Sequence, residues 1–458
     1  MRHNHHAALT ALALAAQSAT AQQATDQPAP AQQSADHQDN PKDTPAIRQA
    51  EPAVRVHLPG AGCSHATPEA RAALERARNA RHNQQRITIA PGPRNAFDVQ
   101  FSVSSQVAAN PDFVAALELA AQTWEARISD DATVVMSVDF VAGEPFIAVA
   151  SANFFVATYD TWRNALINDA DPDELAYKQA LPTSPPTFDF GSFQTTPGPA
   201  DQDTFATTAQ SKSLFPLASL PPIPDGLDAS IVFNTDFNFD NDPSDGLTPG
   251  SVDTVYVMIH ELGHALGFVS GEGSGGAHTI WDYYRLPGEG QPDDPDTLAD
   301  VTAATRILET GAPAALDTVG LFPAVLTSVP LSTGTGTGGD GRQASHWKDE
   351  SLLGIPLVLG VMDPTYNPAT IDTNNPLSKQ DLLAFSLMGW NITVPTIPTS
   401  CPVDVNNDGV VDVEDLYAFT QNPSDINGDG NTNADDTRCL TNAIREGELQ
   451  DMESGFPD

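Results

Sequence analysis

Apolar and polar residues alternate at Ile87-Thr88-Ile89 and along Phe97-Asp98-Val99-Gln100-Phe101-Ser102-Val103, the period of a strand with one buried face. From Phe113 to Ile128 the spacing changes. Ala116, Leu117, Ala120, Ala121 and Trp124 recur at intervals of three and four, which predicts a helix. Alternation returns over Thr133 to Phe140, and Phe146 to Val156 and Ser230 to Phe233 read as further strands. Strand, helix, strand in this order lays a helix on a sheet, so the expected fold class is α+β. Between Thr183 and Asp228 the chain is crowded with Pro, Gly, Ser and Thr, which predicts long surface loops. A helix from about Ser251 to Leu266, another near Asp296 to Thr310, and a last one from Leu377 to Met388 closed by Gly389-Trp390 complete the pattern.

The domain boundaries follow from where this patterning stops. Met1-Arg2, an Ala/Leu run from Ala7 to Ala16 and Ala19-Thr20-Ala21 have the order of a secretory signal over residues 1–21, so the mature chain is expected to be secreted. No later stretch has the ~18 to 20 apolar residues of a membrane span. Residues 22–85 read as a disordered linker or pro-segment, because to about residue 52 they hold almost no large apolar side chains. The patterned main domain then covers 86–394, a linker 395–400, a small last unit 401–446 and an acidic tail 447–458.

Lys and Arg total 21 against 60 Asp and Glu, a formal net charge of -39. That balance disfavours nucleic acid and anionic membrane surfaces as partners and favours cations. Of three cysteines, Cys401 and Cys439 flank the last unit and are expected to pair, a closure worth about 4 kcal/mol. Cys63 is left over, either a pro-segment thiolate aimed at a metal or a free thiol.

The sharpest motif is His260-Glu261-Leu262-Gly263-His264. Residues four apart on a helix stand one turn above each other, so both imidazoles can reach one ion, and zinc is the metal that two such histidines suit. Val255, Ile259, Leu262 and Leu266 mark another face that would anchor the helix in the core. Glu261 can reach a water beside the metal without ligating it, the position of a general base. Gly267 can take the positive φ that ends the helix. A catalytic zinc takes a third protein ligand, and the downstream candidates are His278, Asp282 and His346.

Together, His260 to Phe268, Ser345-His346-Trp347 and Val361-Met362-Asp363-Pro364 resemble the leishmanolysin-type branch of the metzincins, over roughly residues 90 to 392. The extended metzincin pattern would place the third ligand at Ser270, a poor zinc ligand; in the leishmanolysin branch it sits in a Ser-His-Trp context after an insertion. The resemblance therefore implies His346 as third ligand, 82 residues beyond His264, with Asp282 as an alternative ligand or a residue that orients one. It also implies Met362 as the turn methionine beneath the metal and Tyr366 as a donor to the oxyanion. Its fold would be a twisted sheet and helices above a zinc cleft, with a helical lower half. Its activity would be that of a zinc metalloendopeptidase acting on a protein or peptide substrate.

In the last unit, Asp404, Asn406, Asp408, Asp412 and Asp415 place side-chain oxygens at positions 1, 3, 5, 9 and 12 of a loop with Gly409 at position 6. Asp425, Asn427, Asp429, Asn433 and Asp436, with Gly430, repeat the pattern 21 residues later. The carbonyls of Val410 and Asn431 would supply position 7, so two Ca2+ ions are expected in a small all-α module. Asp at position 12 and the tight spacing resemble a type I dockerin, which implies a cohesin-like or cell-surface partner. Two other readings of the whole chain remain: a secreted calcium-binding adhesion or scaffold protein with a non-catalytic metalloprotease-like domain, and a zinc hydrolase of non-peptide amides.

Overall fold

The computed structural model describes residues 47–58, 62–65, 71–76, 87–89, 96–144, 146–191, 194–195, 203–242, 246–272, 277–321, 328–353, 359–365 and 376–393, with 405, 415, 417–419, 423–424, 426 and 440 near the C-terminus. The expected signal at 1–21, the linker at 395–400 and the tail at 447–458 lie outside them.

Strands β1 (Arg48–Leu58), β2 (Gly62–His65), β3 (Ile87–Ile89) and β4 (Asp98–Val103) precede helix α1 (Pro111–Glu125). Then come β5 (Thr133–Val141), β6 (Ala148–Thr158), α2 (Tyr159–Asp169), β7 (Asp203–Thr207), β8 (Ala229–Asn234), α3 (Thr254–Ala265), β9 (His278–Thr279) and α4 (Lys379–Leu387). The strands form one mixed nine-stranded sheet, and its main path runs β9-β7-β6-β8-β5-β4-β3. Strands β4, β5 and β8 are parallel, with Phe101 opposite Met136 and Ile231 opposite Val138, and β6 is antiparallel to β8. The architecture is mixed, helices against a central sheet, consistent with the expected α+β class.

The alternation of β4 is what the sheet uses. Val99, Phe101 and Val103 are fully buried, while Gln100 and Ser102 are partly exposed. Helix α1 starts at a Pro, where the missing N–H costs nothing, and Asn110 caps it by accepting from the Phe113 amide at 3.2 Å. Its buried stripe is Phe113, Ala116, Leu117, Ala120, Ala121 and Trp124. The small alanines let α1 approach α3 closely, and the Trp124 indole donates to the Ile259 carbonyl at 3.0 Å. One core cluster therefore joins the sheet, α1, α3 and α4.

Four expectations differ from the structure. Residues 22–85 are not disordered throughout: β1 runs antiparallel along β6 from Arg48 opposite Val156 to His57 opposite Ala148. Because β8 and β7 in succession pair with residues 148–152 and 154–158 of β6, β1 takes the opposite edge of that strand. The Val54, Val56, Leu58 alternation is a strand signal, and the unpaired edge of β6 supplies its partner. Within the supposed loop 183–228, β7 and a helix at Thr208–Leu214 form instead. Threonine suits a buried strand when its hydroxyl is bonded, and Thr204 bonds both His278 and Tyr283. The helix near 296–310 is only Leu298–Ala303, since Arg306–Ile307 pairs with Phe188–Asp189. Nor is the lower half helical: between α3 and α4 the described residues form mainly short strands and turns, as glycine-rich runs such as Gly334 to Gly341 favour.

Replacing Trp124 by Ala should lower stability by about 3–5 kcal/mol, through the cavity and the lost indole hydrogen bond. Leu119→Ala, on the exposed face of the same helix, should stay within about 0.5 kcal/mol. Urea denaturation of the two variants checks this.

Candidate metal centre

Helix α3 opens at Asp253, whose side chain accepts from the Tyr256 amide at 3.0 Å. It ends at Leu266, and Gly267 at φ +124° then turns the chain as its sequence position predicts. Every residue of α3 is buried, His260 and His264 among them. The third imidazole comes from far away in the chain. His346 is fully buried, and its Nε2 lies 3.1 Å from that of His264 and 3.2 Å from that of His260. The two helix histidines have their Nε2 atoms 3.1 Å apart.

Each Nδ1 faces a main-chain carbonyl: Val361 at 2.7 Å for His260, Phe268 at 2.7 Å for His264 and Gln343 at 2.9 Å for His346. A carbonyl only accepts, so each Nδ1 carries the proton and each neutral Nε2 keeps a lone pair. Three lone pairs thus converge on one point. Tetrahedral arms of ~2.0–2.1 Å put neighbouring ligand nitrogens about 3.3 Å apart, close to the triangle seen here, so the donor set fits zinc with one position left open.

The loop carrying His346 has no regular structure, yet it is held at nearly every residue. Arg285 donates to the Ala344 carbonyl at 2.8 Å, and the Ser345 hydroxyl accepts from the Ser270 amide at 2.8 Å. The His346 carbonyl accepts from the Ser332 amide at 3.1 Å, and the Trp347 amide donates to the Met362 carbonyl at 3.1 Å. Met362 lies under the helix. A Cβ at Gly263 would stand 2.3 Å from its sulfur, so the glycine between the two histidines is the space the methionine fills.

Asp282 is not brought into this group. Its buried carboxylate accepts from the Ser270 hydroxyl at 2.6 Å, the Gly271 amide at 2.8 Å and the Thr279 amide at 2.7 Å. Burial pushes its pKa up, and the nearby Arg285 charge and these donors pull it back part of the way. Its effect on the site runs through Ser270, which contacts Ser345. His278 is not in the group either: its Nε2 lies 2.8 Å from the Thr204 hydroxyl, and its ring stacks on Phe188. Glu261 is 1% exposed and borders a small cavity between α3 and β6, together with His264, Ala150, Ala152 and Phe154. Tyr366 lies outside the described residues.

Sequence reasoning passed over Asp381. Its buried carboxylate accepts from the Trp347 indole and the Val361 amide, each at 2.8 Å, and from the Ser378 amide at 2.8 Å and hydroxyl at 2.9 Å. One side chain therefore binds the segment with His346, the segment with Met362 and the start of α4. Burial raises its pKa against the pull of those donors. The available signal was Ser378-x-x-Asp381, a capping box at a helix start.

In the last unit the ligand positions Asp404, Asn406, Asp408, Val410, Asp412, Asp425, Asn427, Asp429, Asn431, Asn433 and Asp436 lie outside the described residues, as do Cys401 and Cys439. Asp415 is fully buried and helical, and Phe419, Ile426 and Leu440 form a small apolar cluster with Val405.

Substituting His346 by Ala should abolish stoichiometric zinc uptake, whereas Asp282→Asn should retain zinc with weaker affinity by roughly 10- to 100-fold. Metal analysis after dialysis against buffered zinc distinguishes the two. Gly263→Ala should displace Met362 and destabilise the fold by about 1–3 kcal/mol, read by thermal melting. Compared with protein-family models, with curated proteins and with solved structures, the chain matches none.

Proposed function

We propose that the chain is a secreted zinc metalloendopeptidase, with zinc held by His260, His264 and His346 and with Glu261 as general base. The observation that carries this reading is the convergence of three Nε2 lone pairs, fixed by three Nδ1 to carbonyl contacts, beside a buried glutamate one residue along the helix. Zinc bound there would supply Lewis acidity, polarising a carbonyl and easing deprotonation of water. Glu261 takes the proton of the attacking water on its carboxylate and returns it to the departing amine. Its burial beside β6 limits competing solvent, and Met362 and Asp381 keep the imidazoles from drifting as charge moves. Tyr366 is proposed as a hydrogen-bond donor to the oxyanion.

The pro-segment reading of residues 22–85 gains support from β1, which covers an edge of β6, the strand whose Ala150 and Ala152 border the same cavity as Glu261. The C-terminal unit is proposed to bind two Ca2+ in dockerin-like loops and to take a cohesin-like or cell-surface partner. No described helix is long and apolar enough to cross a membrane.

Casein cleavage by zinc-loaded protein, with zinc content measured alongside, tests the reading. The Glu261→Ala variant should lose at least about 100-fold in rate while keeping its zinc. Wild type that holds zinc yet cleaves no unfolded protein, even after the N-terminal segment is trimmed, would favour the adhesion reading. A chain beginning at residue 67 should cleave faster than the full chain; an equal or lower rate would make β1 a permanent strand of the domain.

A further inference from the structure

A second group of metal-type ligands lies beyond the histidines. Asp349, Glu350 and Asp363 are all buried, at 0%, 5% and 1% exposure, and a carboxylate oxygen from each lies within 4.8 Å of the others. Asp349 is well served: one oxygen takes Arg342 Nε at 2.5 Å, and the other takes the Ser351 amide at 2.9 Å and hydroxyl at 2.5 Å. Asp363 is not. Its Oδ1 accepts from the Thr365 amide and hydroxyl at 2.9 and 3.1 Å, but its Oδ2 is sealed from water and receives no donor among the described residues.

Three carboxylates this close together in a dry place repel one another, and crowding like charges away from water is costly. We infer that Asp349, Glu350 and Asp363 form a binding site for one divalent cation, with Asp363 Oδ2 as the ligand atom that no donor among the described residues reaches. All the donors are hard oxygens, with neither imidazole nor thiolate among them, so the ion is calcium rather than zinc. Without a cation the cluster must hold a proton instead. Burial, followed by the neighbouring Glu350, pushes Asp363 up to about 9.

The position gives the ion a role. Asp349 and Glu350 follow His346 on one segment, Asp363 follows Met362 on another, and the Trp347 amide to Met362 carbonyl bond already joins the two. Calcium would cross-link them a second time. It would stabilise the support of the histidine group without touching the histidines, and the inference holds whether or not the chain is a peptidase.

The test uses the full chain with Asp404→Ala and Asp425→Ala, so that the C-terminal loops do not contribute. Equilibrium dialysis of the metal-stripped protein should find one calcium per chain. Calcium at ~100 times its Kd should raise the melting midpoint by about 5 °C, and magnesium at equal concentration should do less. Adding Asp363→Asn should abolish both uptake and shift while raising the midpoint in chelator, because a neutral amide is buried there without having to take up a proton on folding. Glu350→Gln provides the same comparison should Asp363→Asn not fold. A parent that takes up no calcium, or an Asp363→Asn variant that takes up as much, would overturn the inference and leave a carboxyl pair sharing a proton.

Discussion

Three buried imidazoles each give their Nδ1 proton to a main-chain carbonyl, and the arrangement of the lower half follows from that constraint. The carbonyls belong to Phe268, Gln343 and Val361, on three segments far apart in sequence. For all three Nε2 atoms to meet, those segments must hold fixed positions although little regular structure is available to fix them. Side chains do so instead. Asp381 gathers the Trp347 and Met362 segments at the start of α4, while Arg285 and Asp282 with Ser270 hold the residues before His346. Buried charges of this kind are retained only when well bonded, and here their donors and acceptors are the site's own backbone.

The upper half supplies rigidity of a different sort. Helix α3 packs against both β6 and α1, so its histidines project from a helix buried along its whole length. Small residues make that closeness possible: alanines on α1, and Gly263 where Met362 rises beneath the two helix histidines. Aromatic rings fill the remaining space, with Trp124 edge-on to Phe385 and Phe268 against both Trp281 and Trp347.

Much of this was legible in the sequence because period and punctuation agree with the fold. The strands around Val99, Val134 and Ile231, the helix around Trp124 and the motif helix with its Gly267 stop all sit where their patterns place them. His346 was reachable only through its Ser-His-Trp context, since nothing local in a loop announces that an imidazole will join another 82 residues away. Residues whose importance comes from tertiary contact were hidden. Asp381 reads locally as a helix cap and Thr204 as a loop residue, yet each is buried at the crossing of several segments. The strand at 48–58 was masked by its low-complexity surroundings, because a strand is decided by its neighbour as much as by its own residues.

In the proposed site three imidazoles present lone pairs to one zinc with a fourth position open. X-ray absorption at the zinc edge of the purified protein measures it most directly. The expected spectrum has one zinc per chain with three imidazole nitrogens and one oxygen ligand, at distances of ~2.0–2.1 Å. A spectrum with two imidazoles and carboxylate oxygens, or a chain that retains no zinc at neutral pH, would contradict it.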